Sequence, residues 1–473
     1  MSRVAVIVMA VVMAVQLSQA TKENSLIVIL VDGFRWDYTV VHGVGTQLPG
    51  FQHFQTAGTR AEYLRPVYPS LSYPNWHTIA TGLYPERHGI IGNLIYDPER
   101  NKTFYLMDTN STTDPTWWGD AEAIWTTATN HGLQTALFQW SRCDVQWRTE
   151  SDLPRYCERF EYDPTGSTHR LPKRLSQAVD MIKEEDYRLV MVYEGSVDTR
   201  GHYKGPLSPE VAAAVRDVDQ ALQQLWRRLE ETGMVDTTNV VVVSDHGMTQ
   251  VNDGSLQEVE VGQCLQESEV VESLNSCPEL KHKVKAFLKE SVPPRYHYRA
   301  HRLIPEVVAI AEKGYTMNVN ELAPSIKVLT TDASSYFGNH GFDDTQGQHP
   351  DMRGVLYAAG PAFARSRKAG PVEQVDVYGL LCHALLLPCH ANNGTPAHIA
   401  PFFATPSPNT DGWSSKGVSV SIFTTAAAIL VFFFFFFCLV VVVVAERDTS
   451  STIFAILRGN FISNHSTWTQ RWE

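Results

Sequence analysis

Three short apolar runs, each leading into acidic residues, constrain the fold of this chain more than any other feature. Ser25–Val31 (SLIVILV) runs into Asp32-Gly33, residues 189–193 (LVMVY) lead through a polar segment to Asp198, and residues 239–244 (NVVVVS) run into Asp245-His246-Gly247. Runs of strand length that are apolar on both faces fit parallel strands covered by helices on either side. Between the second and third runs, Val211, Val215, Val218, Leu222, Leu225 and Leu229 recur at helical spacing along residues 210–231. Strands alternating with helices predict an α/β fold with a mostly parallel central sheet flanked by helices. In such sheets ligands collect beyond the carboxyl ends of the strands, where all three acidic groups fall. The sequence shows no internal repeat.

One aspartate after a strand is ordinarily a turn residue or a helix cap. Three in register, with histidines nearby, predict a site. Asp198 and His202 are four residues apart, and Gly201 lets both face one ion. His340 sits in a glycine-flanked loop, residues 338–344 (GNHGFDD). A mixed set of imidazoles and carboxylates suits zinc, whereas calcium or magnesium favours oxygen throughout. His349 follows Gln346-Gly-Gln and reads as a surface histidine.

The two ends of the chain speak about location. Residues 1–20 read as a signal peptide, with Arg3 before an apolar run and Ser18-Gln19-Ala20 supplying small residues for cleavage. Residues 418–445 are almost uninterruptedly apolar, and about 20 such residues cross a bilayer as a helix. A Pro/Ser/Gly-rich stalk at 405–417 and a short tail at 446–473 flank it. The prediction is a single-pass type I cell-surface protein with its catalytic domain, residues 21–404, outside. Ser414, Ser415 and Gly417 would alternatively suit a lipid anchor, but such a signal normally ends the chain.

Other features agree with that compartment. Cys143, Cys157, Cys264, Cys277, Cys382 and Cys389 precede the membrane run, an even number suited to disulfides, with near pairs 143–157, 264–277 and 382–389 among fifteen pairings. Asn101, Asn110 and Asn393 head glycosylation sequons. The net charge of −12 argues against binding a nucleic-acid polymer, which needs a basic surface. It does not exclude a small anionic substrate, because a bound cation reverses the local sign.

Five longer segments make the chemistry specific: residues 31–38 (VDGFRWDY), 68–93 (YPSLSYPNWHTIATGLYPERHGIIGN), 197–206 (VDTRGHYKGP), 243–249 (VSDHGMT) and 339–344 (NHGFDD). In this order they resemble the nucleotide pyrophosphatase/phosphodiesterase family of the alkaline phosphatase superfamily, over residues 25 to 400. The resemblance implies an alkaline-phosphatase-like single catalytic domain and two zinc sites, one held by Asp198, His202 and His340. The other would be held by Asp32, Asp245 and His246, with Ser72, rather than Ser70, as metal-bound nucleophile beside it. Two ions about 4 Å apart would activate Ser72 and clamp the attacking and leaving oxygens. Ser72 would be phosphorylated and then released by water, with Asn93 donating to a phosphate oxygen.

Within the resemblance, the Ser-Leu-Ser-Tyr context of Ser72 and the Cys143/Cys157 pair look closest to the branch that cleaves choline glycerophosphodiesters and lysophospholipids. A choline headgroup needs an aromatic cage with a carboxylate. Tyr73 and Tyr193 are candidate walls, and Glu158 and Glu161 candidate carboxylates. Tyr193 reads equally as a core aromatic at a strand end, and Tyr73 would equally stack on a nucleobase. The alternatives are therefore a nucleotide-cleaving enzyme or a catalytically silent binding ectodomain. The complete ligand set argues against the silent reading. A sulfatase lacks support because no arginine follows Ser72 at the required spacing, and the arginine clamp of a monoesterase is not identifiable.

Overall fold

A computed structural model describes residues 24–404 apart from 44–46, 146–152, 162, 164, 252–256, 261–269, 313–314 and 319–335. The expected signal peptide, stalk, membrane helix and tail lie outside the described residues. Among the described residues no helix is long and apolar enough to cross a membrane.

The central sheet has eight strands: β1 (Ser25–Val31), β2 (Gly58–Arg60), β3 (Gln134–Phe138), β4 (Tyr156–Glu158), β5 (Tyr187–Glu194), β6 (Thr238–Val243), β7 (Leu356–Ala359) and β8 (Arg367–Lys368). Their order is β8-β2-β7-β6-β1-β5-β3-β4. The helices that cover or border the sheet are α1 (Pro49–Ala57), α2 (Ser72–Thr81), α3 (Ile124–Asn130), α4 (Leu171–Glu185), α5 (Ser196–Lys204), α6 (Pro209–Thr232) and α7 (Asp376–Ala384).

β1 explains the first apolar run. It pairs in parallel with β5 on one side and β6 on the other, and all seven of its residues are buried. Side chains alternate along a strand, so Ile27, Ile29 and Val31 pack with α1, α4 and α6. Leu26, Val28 and Leu30 enter a second core with residues of α2, α3 and α7. With both faces covered, the run from Leu26 to Val31 is continuously apolar, and the one polar residue, Ser25, stands at the start of the strand. α6 realises the predicted helix with Val211, Val215, Val218, Leu222, Leu225 and Leu229 buried. Ser208 caps it by accepting the Val211 N–H at 3.2 Å, and Gly233 closes it in the left-handed region at φ 70°.

The sheet is parallel through its centre, but β7 runs antiparallel to both β6 and β2. The register sets the carboxyl ends level. Val31 lies opposite Glu194, and Leu30 opposite Val243, so Asp32, the start of α5 and Asp245 emerge at one edge. A two-residue antiparallel pairing, Thr249–Gln250 with Gly338–Asn339, returns the chain to that edge and delivers His340. Of the near cysteine pairs, Cys143–Cys157 is a disulfide, while Cys382 and Cys389 are free thiols rather than a third bridge. Cys264 lies outside the described residues. The three sequon asparagines are exposed.

Candidate active site

The first carboxylate follows β1 directly. The Asp32 N–H donates to the Glu194 carbonyl at 2.9 Å, continuing the ladder one step past the strand. Its Oδ2 accepts the Tyr193 hydroxyl at 2.6 Å, while its Oδ1 lies 3.4 Å from His246 Nε2. Gly33 then turns at φ +65°, and a Cβ there would stand 2.9 Å from the Asp198 Cα. Only glycine lets the β1 turn and the head of α5 approach this closely.

α5 carries Asp198 and His202 one turn apart, with Oδ2 and Nε2 separated by 3.5 Å. His340 Nε2 is 3.2 Å from His202 Nε2 and 3.6 Å from Asp198 Oδ1. Two clusters result: Asp198, His202 and His340, and Asp32, Asp198 and His246. Asp198 is common to both. Asp245, expected in the second set, stands beside it with Oδ2 3.3 Å from His246 Nε2. Both of its oxygens already accept hydrogen bonds: Oδ1 from the backbone of Gly33 and His246, Oδ2 from the Trp76 indole at 2.7 Å.

The three imidazoles are held in one common way. Nδ1 of His202 meets the Gly338 carbonyl at 2.9 Å, Nδ1 of His246 the Gly247 carbonyl at 2.9 Å, and Nδ1 of His340 the Ser70 carbonyl at 3.0 Å. A carbonyl only accepts, so each Nδ1 carries the proton and each Nε2 presents a bare lone pair. Two such lone pairs face each other across the His202–His340 gap. Nearby, the buried Asp32 Oδ1 and Asp198 Oδ1 have no hydrogen-bond donor. With only the protein's own charges, burial pushes the Asp32 carboxyl well above the usual range, and Asp245 and Asp198 add to it. Burial also raises Asp198, opposed by His202 and His246. Burial drives His340 well below the usual imidazole range, reinforced by His246 and His202. Convergent lone pairs and orphaned carboxylate oxygens fit divalent cations, and no group among the described residues meets them instead.

Ser72 is the first residue of α2, 6% exposed, with Oγ 3.3 Å from His246 Nε2. Of the N–H groups at this helix start, that of Tyr73 is taken by Asn93, Pro74 has none and that of Asn75 donates to the Leu71 carbonyl at 3.2 Å, which leaves the Ser72 N–H and the positive end of the helix to face a phosphoryl group. The loop into α2 is fixed by Asn75, which bonds the backbone of Val67, Pro69 and Leu71. Ser70 serves the scaffold: its hydroxyl donates to the Phe342 carbonyl at 2.7 Å and accepts the Gly341 N–H at 3.1 Å. The Asn93 Oδ1 accepts the Tyr73 N–H at 3.0 Å, which anchors the amide one residue from Ser72 and directs its NH2 group away from that bond.

The remaining candidates fall in different settings. Tyr73 is 1% exposed and packs in an aromatic core with Trp76, Phe104 and Trp118, so its ring is not offered as an open wall. Tyr193 is half-buried between Trp76 and Phe160, with its hydroxyl committed to Asp32. Glu158 is neutralised by Arg174 at 2.7 Å, whereas Glu161 is largely exposed beside Phe160. His349 is buried against Phe342 rather than on the surface, and it belongs to neither cluster.

Trp76 was not legible as a functional residue because an indole one turn into a helix reads as core. Its N–H nevertheless links the helix of Ser72 to Asp245, the carboxylate beside the Asp32/Asp198/His246 cluster. Trp76→Phe keeps the ring packing and removes the donor. It is expected to weaken metal affinity by roughly 10–100-fold, the usual effect of losing an outer-shell partner. Equilibrium metal binding measures this, and unchanged affinity would show that the indole only packs.

Comparison with known proteins agrees with this geometry. A family profile described as type I phosphodiesterase / nucleotide pyrophosphatase matches residues 26–273. The human ectonucleotide pyrophosphatase/phosphodiesterase family member 5 is 28% identical over 390 residues, spanning 79% of this chain and 76% of its own. A mouse bis(5′-adenosyl)-triphosphatase is 29% identical over 399 residues, 79% of this chain and 80% of its own. Among solved structures, murine ectonucleotide pyrophosphatase/phosphodiesterase 5, an inactive threonine-to-alanine form in complex with AMP, superposes with a TM-score of 0.69 at 27% identity. It covers 81% of this chain and 100% of that one. The chain belongs to the type I phosphodiesterase / nucleotide pyrophosphatase family, with the alkaline-phosphatase-like fold.

Proposed function

We propose that this protein is an extracellular, two-zinc phosphodiesterase that cleaves nucleotide phosphodiester or pyrophosphate bonds and releases nucleoside monophosphates through a phosphoserine at Ser72. The observation that carries the reading is the hydroxyl at the head of α2, poised 3.3 Å from His246 Nε2 beside two clusters that share Asp198. Asp198, His202 and His340 would hold one cation. Asp32, His246 and Asp198, with Asp245 adjacent, would hold the other. Bound there, the metal supplies Lewis acidity that lowers the hydroxyl pKa and offsets phosphoryl charge. The mixture of imidazole and carboxylate supports zinc.

The chain's own groups supply the rest. Ser72 Oγ forms the new bond to phosphorus, and the bond from phosphorus to the leaving oxygen breaks on the opposite side. The Asn93 NH2 group and the Ser72 N–H at the head of α2 donate to non-bridging oxygens. Water entering from the vacated side then cleaves the Ser72 ester. Relatives named ectonucleotide phosphodiesterases and venom phosphodiesterases support the extracellular setting. The neighbour that binds AMP supports a nucleotide substrate.

A second reading has its own observation. Phe160 and Tyr193 form an aromatic corner with ring centroids 5.4 Å apart, and Glu161 beside it would suit a choline cation. The two readings separate on purified full-length protein given p-nitrophenyl thymidine monophosphate and p-nitrophenylphosphocholine, with chelator and after zinc is restored. Zinc-restored cleavage chiefly of the thymidine ester is expected. Preference for the choline ester would replace the nucleotide assignment, and cleavage of neither by metal-loaded protein would remove the enzyme reading.

A further inference from the structure

The sequon Asn101-Lys-Thr103 lies on a β-hairpin that begins at the active site. Directly after Asn93, Leu94–Asp97 pairs antiparallel with Lys102–Tyr105, and the Leu106 N–H donates to the Asn93 carbonyl at 3.0 Å. Successive side chains of a strand point to opposite faces. Ile95 and Phe104 enter the core, so Leu94, Tyr96, Thr103 and Tyr105 share the outer face, with Tyr96 directly opposite Thr103. That face is apolar although it meets solvent: Leu94 is 42% exposed and Tyr96 55%.

The turn that carries Asn101 is held in place. Asp97, buried at its foot, accepts the Glu99 and Arg100 N–H groups at 3.0 and 3.3 Å, and the guanidinium groups of Arg100 and Arg302 at 2.8 and 2.6 Å. Asn101 is exposed and stands in the left-handed region at φ 49°, which asparagine tolerates better than most residues. Its Oδ1 accepts the Tyr96 hydroxyl at 3.0 Å. The carboxamide is thereby fixed at the edge of an exposed ring, with Nδ2, the atom a sugar would join, on the other side of the amide. The other two sequons lack this arrangement. Asn110 uses its backbone N–H on Asp108 at 3.0 Å, and Asn393 Oδ1 accepts the Tyr84 N–H at 3.2 Å; neither carboxamide bonds an aromatic side chain.

We propose that Asn101 is N-glycosylated and that its first N-acetylglucosamine lies across the exposed ring of Tyr96, clamping the hairpin next to Asn93. The proposal rests on the extracellular reading above, which takes the chain through the secretory compartment. In the modification, Asn101 Nδ2 loses one proton and bonds the anomeric carbon of the sugar, while the lipid-linked pyrophosphate of the oligosaccharide donor leaves with the bonding pair. Oδ1 is untouched, so the bond from the Tyr96 hydroxyl survives. A pyranose ring presents a face of C–H bonds, which is attracted to the negative face of an aromatic ring. The sugar hydroxyls stay in water, so the apolar face of the hairpin is covered without burying an unpaired polar group.

The experiment uses the full-length chain from eukaryotic cells that retain high-mannose glycans. Glycopeptide mass spectrometry reads occupancy, and amide hydrogen exchange over residues 94–105 reads opening of the hairpin. Three forms are compared: the intact glycan, the glycan trimmed by an endoglycosidase to its first sugar, and sugar-free Thr103→Val, which keeps Asn101 and a β-branched side chain. Each is made with Tyr96, Tyr96→Phe and Tyr96→Ala. Asn101 is expected to be occupied, and both sugar-bearing forms to exchange about fivefold more slowly across the hairpin than Thr103→Val. Tyr96→Phe keeps this protection and Tyr96→Ala abolishes it. A bare Asn101, equal exchange with and without the sugar, or protection that survives Tyr96→Ala would each overturn the proposal. If Asn101 alone is bare, the extracellular reading stands; three bare sequons would overturn both.

Discussion

Ser72→Ala lowers kcat by about a thousandfold or more while leaving substrate binding and metal content close to wild type. The size follows from removing the group that forms the covalent bond, a change that costs far more than losing an orienting contact. Metal retention follows because the six carboxylate and imidazole side chains around Ser72 are untouched. Alanine is a good residue at the first position of a helix, and the loop before α2 is held by Asn75 rather than by Ser72. Ser72→Thr restores most of the rate, since the hydroxyl keeps its place at the helix terminus. Steady-state kinetics with zinc analysis on the same samples checks this. A Ser72→Ala protein within tenfold of wild type would place the nucleophile elsewhere.

Asp198→Asn removes metal from both clusters, whereas His202→Ala empties chiefly one. Asp198 is the one residue common to Asp198/His202/His340 and Asp32/Asp198/His246. Its replacement by a neutral amide takes a charge from each cation at once, and an amide is a poorer zinc ligand than a carboxylate. The loss exceeds the roughly 10–100-fold typical of outer-shell changes, and activity falls with it. Metal stoichiometry after dialysis against a weak chelator distinguishes the two variants. Two metals retained in Asp198→Asn would contradict the shared-ligand geometry.

The metal side of this site was legible because chemistry and topology coincide in the sequence. The middles of β1, β5 and β6 (residues 26–31, 189–192 and 240–243) are apolar because both faces are covered, and the polar chemistry comes at the strand ends. Asp32, Asp198 and Asp245-His246 therefore announce themselves. His202 follows from helical spacing and His340 from its glycine-flanked loop. β7 was hidden because LYAA is short and its antiparallel direction depends on where the chain returns, which no local pattern records. Trp76, Ser70 and Asn75 were hidden because their partners are distant in sequence or are backbone atoms. Tyr73 shows the opposite error. Placed next to the nucleophile it suggested a substrate wall, but the helix turns its ring inward to Phe104 and Trp118. Glu158 was likewise a plausible cage carboxylate until Arg174 proved to neutralise it.

Double displacement through Ser72 is tested most directly by the stereochemical course at phosphorus. A nucleotide substrate made chiral at the α-phosphorus with sulfur and an oxygen isotope would be hydrolysed by the zinc-loaded protein, and the configuration of the released monophosphate determined. Two successive in-line displacements predict net retention. Net inversion would mean that water attacks phosphorus directly, and it would contradict a phosphoserine at Ser72.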